Sequence, residues 1–205
     1  MSRALSLETP AQQTHFLLKW VLANTAGGFL IGLLENNGLQ FTATLTLTGA
    51  ILGSLQWSIL SPSLRWRRWW PLASAMGWLV GSLIIASSYR LYGPLAQTLW
   101  RQMGLWEVFW LNLLTGSIAG LLMAIAQGWI LARQGRAVPL WWAAGLLGGA
   151  AQGGVSAALC AAACPVLPSL VVGVVNAGGW AIYGGLTGLV LLVLLQDPAE
   201  VEGTG

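Results

Sequence analysis

Six stretches of this chain, at roughly residues 17–34, 42–62, 69–88, 106–132, 140–163 and 167–195, are apolar along most of their length and almost free of charge. About 18 or more apolar residues in a row read as a membrane-spanning helix, because about 20 residues cross a hydrocarbon core of roughly 30 Å. Of the 205 residues, 56% are hydrophobic and only 7% are charged, whereas a soluble domain is about a quarter charged. Such a surface cannot face water. The opening residues, MSRALSLETPAQQTHF, show no apolar region with a small-residue cleavage site, so no removable signal peptide is expected. The expectation is an all-α integral membrane protein with six transmembrane helices arranged as three tandem helical hairpins. Residues 1–16 would be a cytoplasmic segment, 17–195 one membrane domain and 196–205 a cytoplasmic tail.

Basic residues orient such a chain. With six spans, Arg3, Lys19, Arg65, Arg67, Arg68, Arg133 and Arg136 fall on one side, and only Arg90 and Arg101 on the other. The side rich in Lys and Arg is cytoplasmic, which places both termini there. Arg65, Arg67 and Arg68 sit where anionic lipid headgroups meet the protein. The net charge of +3 therefore calls for no nucleic acid. Trp66, Trp69, Trp70, Trp100, Trp106, Trp141 and Trp142 lie near span ends, as an interfacial aromatic belt would. The stretch 95–105 brings Leu95, Leu99 and Met103 to one helical face and suits a helix lying along the outer interface.

The chain repeats itself. Trp20, Trp70 and Trp141 are each followed seven residues later by a glycine, at Gly27, Gly77 and Gly148, near the cytoplasmic end of an odd-numbered span. The even spans carry a second pattern: Gly49, Gly53, Gln56 and Leu60 match Gly120, Ala124, Gln127 and Leu131, and the sixth span keeps Gly184 and Gly188. Offsets of four, seven and eleven fall on one helical stripe, so the small residues and the glutamine point the same way. Gly145, Gly149 and Gln152 form another copy. Small residues spaced four apart let two helices approach closely in lipid, and an amide can bond across that contact for about 0.6 kcal/mol, rarely as much as 2. Gln56 and Gln127 should sit roughly 8–9 Å inside the cytoplasmic interface at a 1.5 Å rise per residue, within reach of each other or of a facing carbonyl. Read as a packing seam, the pattern makes Gln56→Leu mild and Gly53→Leu worse. Read as a ligand site, it makes the same amides, with Asn24, Asn112 and Asn176, the lining of a polar path or the contacts of a bound pigment or lipid.

Residues for catalysis are scarce. Charges inside the membrane mark ion and proton paths, and only Glu35 and Glu107 come near, both at span ends. His15, the sole histidine, precedes the first span, which excludes bis-histidine haem within one chain. No His, Asp or Glu cluster has metal-ligand spacing, and no glycine-rich phosphate loop followed by Lys occurs. Cys160 and Cys164 would share a helical face, where an intact turn holds them too far apart for a disulfide. Buried thiols are expected, and a bridge on the oxidising side becomes open to them if the helix ends before Pro165.

The segments GAILGSLQWSIL, AGLLMAIAQGWIL, WWPLASAMGWLVG and IYGGLTGLVLLVLL resemble those of a group of uncharacterised multi-pass membrane proteins, largely cyanobacterial. That group repeats G-x-x-x-G-x-x-Q-W-x-x-L followed by Arg and Trp. The resemblance runs from Trp20 to Leu195 and departs at Gly128, which separates Gln127 from Trp129. It implies the multi-pass architecture and a bacterial inner or thylakoid membrane, and it implies no reaction. The functional expectation is a non-enzymatic structural, assembly or accessory subunit of a membrane complex, partnered by other membrane subunits or by itself. No cofactor is evident, and lipid or pigment would be held between the helices. The alternative is a small transporter or channel using Asn24, Asn112 and Asn176 beside helices broken at Asn24–Gly28 and Asn176–Gly179.

Overall fold

The computed structural model describes residues 9–39, 43–60, 66–104 and 106–195, and among them it holds seven α-helices and no strand. These are α1 (Pro10–Leu34), α2 (Thr48–Ile59), α3 (Trp70–Ser87), α4 (Tyr89–Met103), α5 (Glu107–Ala132), α6 (Val138–Ala163) and α7 (Ser169–Leu195). Arg65, Arg3 and the terminal segments 1–8 and 196–205 lie outside the described residues.

Local chemistry sets where α1 begins. The Thr9 hydroxyl accepts from the Gln12 N–H, the Gln12 side chain accepts from the Thr9 N–H, and Pro10 opens the first turn. This capping box with proline just inside the start begins the helix seven residues before its apolar run. Among the described residues five segments are long and apolar enough to cross a membrane: Pro10–Leu39, Arg67–Ser87, Glu107–Ala132, Val138–Cys160 and Ser169–Leu195. The second apolar run does not make a sixth by length. Its α-helix, α2, has only 12 residues and follows a wider turn at Ala43–Leu47. At 1.5 Å per residue, α2 alone covers roughly 18 Å. Large apolar side chains point outward, among them Leu22, Leu72, Val174 and Val193. Exposed apolar area this extensive belongs to a surface that meets lipid, and the chain is an all-helical membrane protein.

Six of the helices form a ring. Neighbours are α1 and α2, α2 and α3, α3 and α5, α5 and α6, α6 and α7, and α7 closes on α1. Adjacent helices run antiparallel: Gly49 lies beside Ala75 and Gly53 beside Pro71, while Gly116 meets Gly149 and Gly120 meets Gly145. Likewise Gly184 lies beside Val21 and Gly188 beside Leu17. Backbones come very close along these three contacts. A Cβ on Gly53 would lie 2.9 Å from the Pro71 Cα, and one on Gly120 would lie 3.0 Å from the Gly149 Cα. The contrast is Gly178, where a Cβ would meet nothing within 4 Å. Gly178→Ala is therefore expected to hold or raise the melting temperature in detergent, since alanine favours a helix over glycine by about 1 kcal/mol. A marked loss would mean that a further surface packs there.

The seventh helix, α4, lies outside the ring against α5. It buries Gly93 and Ala96 and half-buries Leu99, while Leu95 and Met103 remain exposed. The packed face is thus rotated from the Leu95–Leu99–Met103 stripe, because small residues allow the closer approach to α5.

Several sequence expectations change. Trp70 and Trp141 do not belong to an interfacial belt: with Trp20 they are fully buried where the ring closes, at ring-centroid separations of 5.7, 6.3 and 6.4 Å. The edge-to-face geometry favours such aromatic clusters. Leu60, Leu131 and Leu191 complete this plug. Helices α1 and α7 run unbroken through Asn24–Gly28 and Asn176–Gly179, because each glycine-rich stretch lies against a neighbouring helix and keeps its helical hydrogen bonds. Cys160 and Cys164 are a disulfide and not free thiols. The α-helix stops at Ala163 and Cys164 enters a tighter turn to Val166, which brings the two Cα atoms to 4.6 Å, inside the span a disulfide can bridge.

Candidate functional site

Above the tryptophan plug the sequence repeat produces a layer of neutral hydrogen bonds. Asn24 and Ser74 each stand four residues after a repeat tryptophan, one turn along the same face. Both reach back: Asn24 Nδ2 donates to the Trp20 carbonyl and Ser74 Oγ to the Trp70 carbonyl, each at 2.8 Å. Fully buried Gln56 donates to Asn24 Oδ1 at 2.9 Å, and its Oε1 accepts from Trp70 Nε1 at 2.9 Å and from Gln127 Nε2 at 3.1 Å. Gln127 also donates to Ser74 Oγ at 2.8 Å.

The third copy is chemically thinner. Gly145 stands where Asn24 and Ser74 stand, and Leu191 where the glutamines stand. The Trp20 indole donates instead to Thr187 Oγ1 at 3.1 Å, and Thr187 donates to the Tyr183 carbonyl. Trp141 Nε1 and Gln127 Oε1, by repeat the counterparts of the Trp70–Gln56 bond, are buried without a hydrogen-bond partner. Leu52, Met123, Trp180 and Tyr183 pack as the next layer. One end of the ring is thus filled.

Toward the other end the ring holds an open-mouthed cavity of about 670 Å³. Its deep wall carries Trp78 and Trp180, with ring centroids 5.7 Å apart. Its rim is formed by helix ends, at Glu35, Ile85, Val108 and Cys160. Between them stand three amides from three consecutive ring helices: Asn112 of α5, Gln152 of α6 and Asn176 of α7. Ser156 joins two of them. Gln152 Nε2 donates to Ser156 Oγ, and Ser156 donates to Asn176 Oδ1, both at 3.4 Å. Asn112 Nδ2 donates to the Val108 carbonyl at 2.8 Å. One half of each amide remains for a guest: Asn112 Oδ1, Gln152 Oε1 and the Asn176 Nδ2 group. Asn176 is itself only 9% exposed. Among the described residues Glu35 is the one charged member of the lining. Mostly apolar walls with a few convergent polar groups are the usual build of a small-molecule site.

The structure sorts the sequence-predicted residues into separate places. Gln56 and Gln127 bond each other in the plug, while Gln152 lines the cavity. Asn24 belongs to the plug, apart from Asn112 and Asn176 in the cavity. Gly49 and Gly53 of α2 pack against α3, and Gly120 faces Gly145 and Gly149 across the α5–α6 contact. Arg67 Nη1 donates to the Leu60 carbonyl at 2.9 Å and so satisfies the end of α2, whereas Arg68 is exposed beside Trp69. Ser156 and the Trp78–Trp180 wall went unforeseen. So did Arg133, whose guanidinium lies 4.2 Å from the Trp129 ring centroid and 4.9 Å from that of Trp66. The spacing of Arg133 four residues after Trp129 was the available signal. Gly128 takes the place of Trp57 because a Cβ there would lie 2.6 Å from Trp142 Nε1.

Fold and site together define an all-helical membrane protein with five candidate spans and an interior cavity lined by amides. No family model, curated protein or solved structure matches the chain.

Proposed function

We propose that this chain is a non-enzymatic multi-pass membrane protein that holds a small uncharged molecule inside its ring, as an accessory or assembly subunit of a larger membrane complex. The observation carrying this reading is the cavity with three amides, filled at one end by the Trp20–Trp70–Trp141 plug. Six passes, in three hairpins, accord with the antiparallel alternation around the ring, with Ala43–Ile59 acting as a short second pass of roughly 25 Å. Both termini then lie in the cytoplasm at the plugged end, beside Arg67, Arg68, Arg133 and Arg136. The disulfide at the cavity rim would face the oxidising side. A bacterial inner or thylakoid membrane fits this orientation and the resemblance to the largely cyanobacterial group, and Arg67 and Arg68, with Arg65, would meet anionic headgroups.

The cavity also favours a second reading, a small carrier, in which the plug opens in alternation with the rim. The continuous course of α1 and α7 speaks against a broken-helix site of the kind many transporters use. Native purification followed by mass spectrometry of bound molecules tests the first reading. A small molecule is expected to copurify with the wild type and to be depleted at least several-fold in Asn176→Leu, with the melting curve little changed. Equal retention by both proteins would move the ligand out of the cavity. Uptake by sealed vesicles that Asn176→Leu abolishes would favour the carrier.

A further inference from the structure

We infer that the guest of this cavity is an uncharged polyhydroxy ring, a sugar that is either free or the headgroup of a glycolipid; this rests on the reading that the cavity binds a ligand. Charge narrows the chemistry first. Among the described residues no Lys, Arg or His lines the cavity, and one carboxylate, Glu35, stands at its rim. A phosphate or carboxylate drawn inward would lose its hydration with no counter-charge to replace it, at a cost of several kcal/mol.

Hydrogen-bonding capacity narrows it further. Among the three amides, the unused groups are two acceptors, Asn112 Oδ1 and Gln152 Oε1, and one donor group, Asn176 Nδ2. The site therefore asks for donors and acceptors together. A ketone, quinone or ester only accepts, so it would pair with Asn176 and strip water from the two amide oxygens without replacing it. A hydroxyl donates and accepts. Several hydroxyls around one ring can answer amides that project from α5, α6 and α7 at once. The Trp78 ring, backed by the buried Trp180, supplies the other half of the match, since a sugar ring has C–H faces that pack on an aromatic surface. A cavity of about 670 Å³ has room for one or two such rings, within the usual range for small-molecule pockets.

The test uses the full chain, purified in a detergent without a sugar headgroup and placed in phosphatidylcholine nanodiscs. Binding is followed by tryptophan fluorescence and native mass spectrometry. The probes are a free disaccharide, a monoglycosyl diacylglycerol, the same diacylglycerol without sugar, phosphatidylglycerol and a prenyl quinone. Saturable binding of either sugar probe is expected, the disaccharide pointing to a free-sugar source and the glycolipid to a headgroup. Gln152→Leu and Asn176→Leu should each weaken that binding about tenfold, the loss of one buried hydrogen bond, while ligand-free melting changes little. Should a leucine variant fail to fold, Asn176→Asp keeps the shape, removes the N–H donors and should show the same loss. Equal binding of the sugar-free diacylglycerol, phosphatidylglycerol or the quinone would overturn the polyol assignment and leave the ligand-binding reading standing. No saturable binding of any probe, with nothing copurifying natively, would overturn both.

Discussion

Gly149→Leu is expected to be the most damaging single substitution in the ring. A Cβ at Gly149 would strike the Gly116 carbonyl oxygen and lie 3.0 Å from the Gly120 Cα, while Gly145 and Gly153 meet α5 backbone in the same way. Backbone stands on both sides of this contact, so no flexible side chain can turn aside. Extra carbon forced into a packed site costs about 1–3 kcal/mol, and leucine adds a branched chain where even one methyl group collides. In lipid the hydrophobic effect does not press the helices back together, so their contact energy is lost outright. We expect a loss of about 3 kcal/mol or more, seen as a lower detergent melting temperature or as aggregation. Gly178→Leu, on open surface, serves as the matched control. Equal melting curves for the two variants would show that close α5–α6 contact is not what holds the ring.

Gln56→Leu should fall not far behind, contrary to the mild effect that the seam pattern suggests in the sequence. One interhelical amide bond is worth about 0.6 kcal/mol, but Gln56 serves three partners: Asn24 Oδ1, Trp70 Nε1 and Gln127 Nε2. Gln127 retains Ser74, and Asn24 retains the Trp20 carbonyl through its N–H group. The Trp70 indole N–H and Asn24 Oδ1 would be left buried and unpaired. Each such group costs about 1–3 kcal/mol, so the expected loss is about 2–6 kcal/mol, with a change in tryptophan emission as Trp70 loses its partner. Gln152→Leu removes only one long bond from a half-exposed residue and is the comparison. If melting shows the two variants within about 0.5 kcal/mol of each other, the plug is not a cooperative network.

Much of this organisation was legible from spacing. The tryptophan repeat and the glycine stripes mark equivalent positions around the ring, and the Gln56–Gln127 bond lay within the reach their depth allowed. The cavity was not legible as a unit, because its amides lie on three helices: Gln152 shares the glycine stripe of the plug residue Gln56, and Asn176 precedes glycines as the plug residue Asn24 does, so local context does not separate cavity from plug. The Cys160–Cys164 bridge turned on where α6 stops. Pro165 raised that possibility without settling it, since a residue before proline is only biased away from the helix.

Hydropathy was enough to place this chain in a membrane, because transfer into hydrocarbon adds up along a run and does not depend on which neighbour each residue meets. Helical periodicity was likewise enough to put Gly49, Gly53 and Gln56 on one stripe, because the angle between residues is set by the backbone. Rotation and partnership were not available in that way. Trp141 and Trp142 are adjacent and alike, yet the first is 1% exposed in the plug and the second 39% exposed on the outside. About 100° of turn around α6 separates them, and only the positions of α1, α3, α5 and α7 say which side is inward. Gln56 and Gln127 are 71 residues apart in sequence; closure of α7 onto α1 and the packing of α3 on α5 bring their helices to one centre, which no local preference along either helix could specify.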